Sequence, residues 1–335
     1  MHLQRAGLTG PFLVVSQPKI FKAIGKGLRK RFPVALIPEG ERAKSFATVT
    51  RLLNRFSLLN MTRQSTVIAL GGGVVGDVTG FAASMYMRGI SVVQAPTTLL
   101  AQVDSSIGGK TGINFRTVKN LVGSFHQPRL VLTDIDTLRT LPIREYRSGL
   151  YEAIKYGIIC DRLLFDDFDA SRELLAARDS SAIERLVARC AAIKGDVVSR
   201  DEKEGDLRRV LNLGHTVGHG LEAAADFRGL KHGEAVGLGM IAAVRISHAL
   251  GHMKKDEALR VESVIHSIGS LPSIAALKLR LIMEAIQHDK KVRDGRVHFV
   301  LPLEIGRVEI TNAVPLELVR DTVKDLIDES QDRRG

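Results

Sequence analysis

Val67-Ile68-Ala69-Leu70-Gly71-Gly72-Gly73-Val74-Val75-Gly76-Asp77 decides the fold. A short β-branched and apolar run passes directly into glycines and then into a helical pattern that continues to about Met87. Gly71, Gly73 and Gly76 satisfy G-x-G-x-x-G between a strand and a helix, the context in which that pattern has physical meaning. Glycines there let a pyrophosphate approach backbone amides at a helix N-terminus, where the helix dipole favours negative charge. The competing reading is a glycine-rich turn. One detail departs from the dinucleotide fingerprint: no Asp or Glu follows about 20 residues on to take the ribose hydroxyls. Glu39-Gly40-Glu41-Arg42-Ala43-Lys44 is the nearest supplier of that contact.

Outward from this turn the first half alternates apolar runs with helical patterns, the signature of a mostly parallel α/β sheet. Strands are expected at 12–15, 34–37, 67–70, 90–94 and 130–133, with a helix from Ile20 to Phe32. After Leu141-Pro142 long helical patterns take over, at 148–159, 181–198, 214–225, 234–249 and 255–267. Val297 to Pro302 and Gly306 to Ile310 read as a small β-hairpin among these helices, and the polar tail from Ser330 reads as frayed. The expected architecture is an α/β nucleotide-binding domain over 1–143 and an all-α domain with one hairpin over 144–335, binding metal and substrate.

A chain of 335 residues with 44% hydrophobic content can fill two cores. It contains no apolar run long enough to span a bilayer and no signal-peptide pattern at its start, so a cytoplasmic location is expected. Cys160 and Cys190 form no CxxC pair, which leaves any metal to nitrogen and oxygen donors. The net charge of +11 suits a small polyanionic substrate. Nucleic acid is not the expected partner, because the cations are dispersed, Trp is absent and aromatics are only 5%.

Three further stretches carry chemistry. Asp104 to Asn114 contains Gly109-Lys110-Thr111, but a phosphate-binding G-x-x-x-x-G-K-T needs glycine where Asp104 stands. What remains reads as a loop bunching an acid, a lysine and an asparagine, extended by Lys119-Asn120 and suited to an anionic ligand. Glu152 and Lys155, at i and i+3, share a helix face, and alone such a pair is usually exposed. Leu211 to His219, followed by Lys231-His232-Gly233-Glu234, gathers three of the ten histidines. Helical spacing offers His215 and His219 to one metal ion, with His232 returning from the next element.

These motifs occur in one order: Gly-Gly-Gly-Val-Val-Gly-Asp, then Pro96 to Asn114, Glu152-Ala153-Ile154-Lys155-Tyr156-Gly157, Leu211 to His219, and His232-Gly233-Glu234-Ala235-Val236. In this the chain resembles the 3-dehydroquinate synthase family, from about Phe12 to about Ile327. The resemblance implies a phosphorus–oxygen lyase of the shikimate pathway that uses NAD and a divalent metal, zinc or cobalt, on a sugar phosphate, as a homodimer. It implies Glu152, His215 and His232 as the metal ligands and moves His219 to the substrate side. Implied NAD contacts are Glu41, Lys44, Gly73, Val74, Val75, Gly76, Asp77, Thr97, Thr98, Lys110, Lys119 and Thr137-Leu138-Arg139-Thr140. Implied substrate contacts are Asp104, Lys110, Asn120, Lys155, Lys194, Arg208, Asn212 and His219, with Arg88 donated across a dimer and Lys290 or Lys291 as a further cation.

Two rivals share much of this pattern: another sugar phosphate cyclase, such as a 2-deoxy-scyllo-inosose synthase, and a metal-dependent glycerol-type dehydrogenase. The intact Asp104 to Asn114 stretch favours the dehydroquinate branch. Family members usually carry an additional strand and helix before the position of Phe12, so residues 1–11 are expected to retain only the end of that helix, with consequences for folding or dimer stability more than for chemistry.

Overall fold

Alternate residues of a strand face opposite sides of its sheet, and here both sides are apolar. Leu13, Val15, Val67, Ala69 and Val92 join one buried cluster with Val49, Leu52 and Phe56 of the Phe46–Leu58 helix and with Val75, Val78 and Phe81 of the Gly73–Met85 helix. Val14, Ile68, Leu70 and Val93 alternate with them and pack against Leu8 and Phe21 on the other side. Strands covered on both faces are those of a parallel sheet between layers. Truncating a fully buried ring such as Phe56 to alanine would cost about 3–5 kcal/mol.

The computed structural model describes residues 2–8, 10–116, 118–226, 229–288 and 297–332; Lys290 and Lys291 lie outside them. Strands β1 (Phe12–Ser16), β2 (Val34–Leu36), β3 (Thr66–Gly71) and β4 (Ser91–Pro96) are followed by β5 (Lys110–Phe115), β6 (Val118–Phe125) and β7 (Leu130–Val131). The main sheet is fully parallel in the order β2-β1-β3-β4-β7, and β5 and β6 form a separate antiparallel pair. The chain divides into two compact units, Met1–Pro142 with Lys194–Ser199, and Ile143–Ile193 with Arg200–Gly335. Unlike a linear division at 143, this grouping takes Lys194 into the first unit, where its ammonium meets Asp104 Oδ1 at 2.6 Å.

In the second unit the Ile143–Cys160 and His232–Ala249 helices are buried along most of their length; the second is apolar nearly all round, whereas the first buries Glu152 and Lys155 among its apolar residues. Around them stand the helices Arg162–Ala170, His215–Ala224, Lys255–Ser267, Leu279–Gln287 and Leu316–Asp332, the Ser180–Arg200 helix apart from Lys194–Ser199, and the hairpin of β8 (Phe299–Glu304) and β9 (Arg307–Thr311). Gly306, in the hairpin turn, donates to the Ile158 carbonyl at 3.0 Å.

Several expectations are corrected. The stretch from Ile20 to Phe32 is not one α-helix but a succession of turns, α at Pro18–Ile20, π at Phe21–Gly25 and 3-10 at Lys26–Lys30. Two glycines in that stretch make a uniform α-helix unfavourable. Lys110 to Asn114 and Lys119-Asn120 are not loop but the paired strands β5 and β6, in which Gly112 faces Gly123. Their apolar residues are interrupted by the two facing glycines and keep no sustained alternation, so the stretch resembles a loop in sequence. The tail is not frayed at Ser330, because the Leu316–Asp332 helix runs through it and Ser330 Oγ accepts from the Ile274 N–H at 2.8 Å.

Candidate metal and nucleotide sites

Glu152 lies in the middle of a buried helix, where a lone carboxylate would be costly. Lys155, one turn on, donates to its Oε2, and both side chains are almost wholly buried rather than exposed as the spacing alone suggests. Glu152 Oε1 has no hydrogen-bond partner among the described residues. It stands 3.8 Å from His215 Nε2 and 3.6 Å from His232 Nε2.

Close helix packing assembles this trio. Gly214, at φ +77°, caps the His215–Ala224 helix, and a Cβ there would fall 2.7 Å from the Val236 carbonyl. A Cβ on Gly233 would fall 2.0 Å from the Ser148 carbonyl, so only glycine lets the helix that begins at His232 lie directly on the helix of Glu152. His215 Nδ1 lies 3.1 Å from the Leu213 carbonyl oxygen and His232 Nδ1 lies 3.3 Å from Glu222 Oε2. With Nδ1 donating in each ring, both Nε2 lone pairs are left to face Glu152. Burial lowers the proton affinity of His232, but the Glu222 hydrogen bond and the charge of Glu152 outweigh it and hold the imidazole above its ordinary 6.5.

The donor set fits a divalent ion. Two imidazole nitrogens and one carboxylate oxygen lie within 4.8 Å of one another. A tetrahedral ion bound at 2.0–2.2 Å would draw such atoms to about 3.4 Å apart, and its charge would satisfy the orphaned Glu152 oxygen. His219, which helical spacing pairs with His215, stands instead beside Glu222 and His232 in a second group. Glu222 escaped the sequence reading, although at i+7 from His215 and i+3 from His219 it shares their helix face. Arg208 is buried, donating through Nη1 to the Glu202 carbonyl at 2.8 Å, and Asn212 donates to Glu204 Oε1 at 3.3 Å.

In the first unit the glycine turn lies at the C-terminal ends of β3 and β4, the edge where open α/β sheets receive ligands. Gly73, Val74, Val75 and Gly76 form the first turn of the Gly73–Met85 helix. A Cβ on Gly73 would fall 3.0 Å from Ser105 Oγ, a buried hydroxyl without a hydrogen-bond partner among the described residues. A helix N-terminus with an unsatisfied hydroxyl beside it fits a nucleotide phosphate. Thr97 N–H donates to the Gly71 carbonyl at 3.0 Å, and Thr98 Oγ1 accepts from the Ala101 N–H at 3.2 Å, which sets both threonines beside the turn.

Lys44 is the hub of a polar network. Its buried ammonium lies 2.6 Å from Asp77 Oδ2 and 2.7 Å from Asn120 Oδ1. Asn114, read from sequence as part of a stretch suited to an anionic ligand, donates to Glu41 Oε1 at 2.9 Å and accepts from the Asn120 N–H at 2.9 Å. Asp77, Lys110 and Asn120 line one cavity with Gly112, Gly123 and Ser124. Lys119 sits beside Asn120 on β6. Thr137 Oγ1 accepts from Gln102 Nε2 at 3.2 Å in the turn Ile135–Thr140, where Leu138 is buried, Arg139 pairs with Asp136 on the surface and Thr140 donates to the Thr137 carbonyl. Arg88 is exposed and follows Met87 in the left-handed region, at φ 65° and 51°, a strain that clusters at functional sites.

Known proteins resemble the chain along most of its length. The profile of the 3-dehydroquinate synthase N-terminal family matches residues 34–148 and that of the C-terminal family matches residues 149–292. A 3-dehydroquinate synthase of Nostoc punctiforme is 47% identical over 94% of this chain and 89% of its own length. One from a Synechococcus species is 46% identical over 96% and 91%. Among solved structures, a 2-epi-5-epi-valiolone synthase from Streptomyces hygroscopicus with NAD+ and Zn2+ bound superposes with a TM-score of 0.88 at 30% identity, covering 96% of this chain and 92% of that one. A 2-deoxy-scyllo-inosose synthase complexed with carbaglucose-6-phosphate, NAD+ and Co2+ gives 0.84 at 27% identity, covering 96% and 91%. With the two profiles together matching residues 34–292, and a 3-dehydroquinate synthase 47% identical over 94% of this chain, the chain belongs to the 3-dehydroquinate synthase family.

Proposed function

We propose that the chain converts 3-deoxy-D-arabino-heptulosonate 7-phosphate to 3-dehydroquinate and inorganic phosphate, the lyase step of the shikimate pathway, with NAD regenerated in each turnover. One observation carries the reading: Glu152 Oε1 is buried and orphaned among the described residues and faces two imidazole nitrogens, in a chain 47% identical to a relative named for that activity. NAD and a divalent metal, zinc or cobalt, are its cofactors, as in the solved cyclases at 30% and 27% identity. Residues 1–143 bind the nucleotide and residues 144–335 the metal.

Glu152, His215 and His232 hold the metal and leave positions open for substrate hydroxyls. A bound metal would supply Lewis acidity at the carbon 5 hydroxyl, and bound NAD would supply a reversible hydride acceptor there. Lys155, ion-paired with Glu152, places its ammonium beside the metal ligands, where it stabilises the oxygen that loses its proton. Lys110, Lys194, Arg208 and Arg88 position the phosphate, which leaves by elimination as its own base, and stabilise the charge that develops. Asp104, Asn120, Asn212 and His219 orient the sugar hydroxyls, and orientation is what the closing ring-opening and aldol steps chiefly require. Glu41, Lys44, Asp77, Thr97, Thr98, Lys110, Lys119 and the Thr137-Leu138-Arg139-Thr140 turn hold the nucleotide.

A homodimer completes the assignment, with Arg88 serving the second copy. Supporting it, Met85, Met87, Phe115, Leu121 and Phe125 are exposed apolar residues near Arg88 in sequence or on the β5–β6 hairpin. No helix of the described residues is long and apolar enough to cross a membrane, and a cytoplasmic location is proposed.

A second reading, a cyclase for another sugar phosphate, draws on the likeness to the valiolone and inosose synthases. Offering the heptulosonate phosphate, sedoheptulose 7-phosphate and glucose 6-phosphate separately and following phosphate release separates the two. Turnover confined to the heptulosonate is expected; turnover confined to either of the others would replace the proposal.

A further inference from the structure

We propose that Arg144 is a positioning residue for the metal site, clamping the segment that carries His232 onto the helix that carries Glu152. This rests on the assignment of Glu152, His215 and His232 to the metal. Arg144 Nε donates to Glu234 Oε1 at 2.8 Å, and its Nη2 donates to Glu234 Oε2 at 2.7 Å and to the Gly229 carbonyl at 2.9 Å. Gly229 precedes His232 and Glu234 follows it, so one guanidinium grips the chain on both flanks of a metal ligand.

Neighbouring contacts point the same way. Ser148 Oγ accepts from the Gly233 N–H at 3.0 Å, Lys231 Nζ meets Glu145 Oε1 at 2.6 Å, and Glu234 Oε2 also accepts from the Lys231 N–H at 2.8 Å. Arg144, Glu145 and Ser148 all belong to the helix of Glu152, and the residues they hold surround His232.

His232 needs such support because it is the first residue of its helix, where the backbone N–H has no intrahelical acceptor and the end tends to fray. Arg144 lies eight residues before Glu152, about 12 Å along the helix, and so acts through His232 and not on the ion itself. The partner carboxylate is 6% exposed, whereas Arg144 itself is half exposed. A lysine could keep the charge but not the fork that takes both carboxylate oxygens while reaching a carbonyl.

The test compares zinc-loaded wild type with Arg144→Ala, Arg144→Lys and Ser148→Ala. Three quantities are read: the rate of zinc transfer to a chromophoric chelator, the visible absorption of the cobalt-substituted proteins, and the melting temperature of each metal-free protein. Arg144→Ala is expected to release zinc about 10–100-fold faster and to change the cobalt spectrum, as loss of an outer-shell support does. Arg144→Lys should fall between it and wild type, and it carries the test alone if the alanine variant does not fold; Ser148→Ala should also release zinc faster. Wild-type release rates and an unchanged cobalt spectrum in Arg144→Ala or Arg144→Lys would overturn the proposal. So would faster release that merely tracks a fall in metal-free melting temperature. If wild type itself retains no zinc, the metal assignment fails, a result distinct from equal retention by all the proteins.

Discussion

Glu222 holds His232 from behind, its Oε2 lying 3.3 Å from Nδ1 while the opposite nitrogen of the ring faces Glu152. A carboxylate in that position fixes the tautomer and the orientation of a ligating imidazole. Glu222→Ala should weaken zinc binding about 10–100-fold, with Glu222→Gln intermediate, in a competition titration against a chelator of known affinity. Unchanged affinity in Glu222→Ala would remove Glu222 from the site.

His219 belongs to the other side of the cluster. Its ring centre is 5.4 Å from that of His215, but the Glu152, His215 and His232 set is complete without it. His219→Ala should therefore leave zinc content at the wild-type level while lowering kcat/KM on the order of 10²-fold, the scale of a lost orienting contact. Loss of zinc from this variant would restore the helical-spacing pair as the metal ligands.

Gly233→Ala tests the packing that brings the ligands together. Its new Cβ would sit 2.0 Å from the Ser148 carbonyl, a backbone atom unable to swing aside. Forced separation of the two helices should cost about 3 kcal/mol or more and lower both the melting temperature and the zinc affinity. A variant that melts and binds zinc like wild type would show that the helices do not approach so closely.

Asp201 organises the turn that carries Arg208. Its carboxylate accepts backbone N–H bonds from Arg208, Gly205 and Asp206, which hold its pKa at about 2 against an ordinary 3.8. Because the folded value is depressed, the stabilisation is fully present above about pH 4 and is lost as pH falls towards 2. Asp201→Asn should raise the substrate KM at neutral pH with zinc content unchanged, and carboxyl NMR should follow the titration. A carboxyl titrating near 3.8 would mean that those bonds do not form in solution.

The fold was readable wherever burial imposes a period on the sequence. Val67 to Leu70, covered on both faces, announces a parallel strand, and Lys255 to Ser267 announces its helix. The β5–β6 hairpin was not readable, because Gly112 and Gly123 face each other there and two close backbones leave no apolar pattern. Spacing marked Glu152 only as half of an i, i+3 pair with Lys155, for a different reason. Its helix is held against that of His232 by close approach at Gly233, a long-range contact that no local periodicity encodes, so Glu152 entered as a metal ligand only through the family resemblance. Its burial with Lys155 likewise depends on that packing and not on their i, i+3 spacing.

The most direct measurement combines purified protein, NAD, zinc or cobalt, and 3-deoxy-D-arabino-heptulosonate 7-phosphate, and follows phosphate, dehydroquinate and NADH together. The account predicts phosphate and dehydroquinate in equal amounts over many turnovers, no net NADH, and loss of all turnover when the metal is stripped. Absence of phosphate release, or NADH accumulating with each turnover, would contradict it.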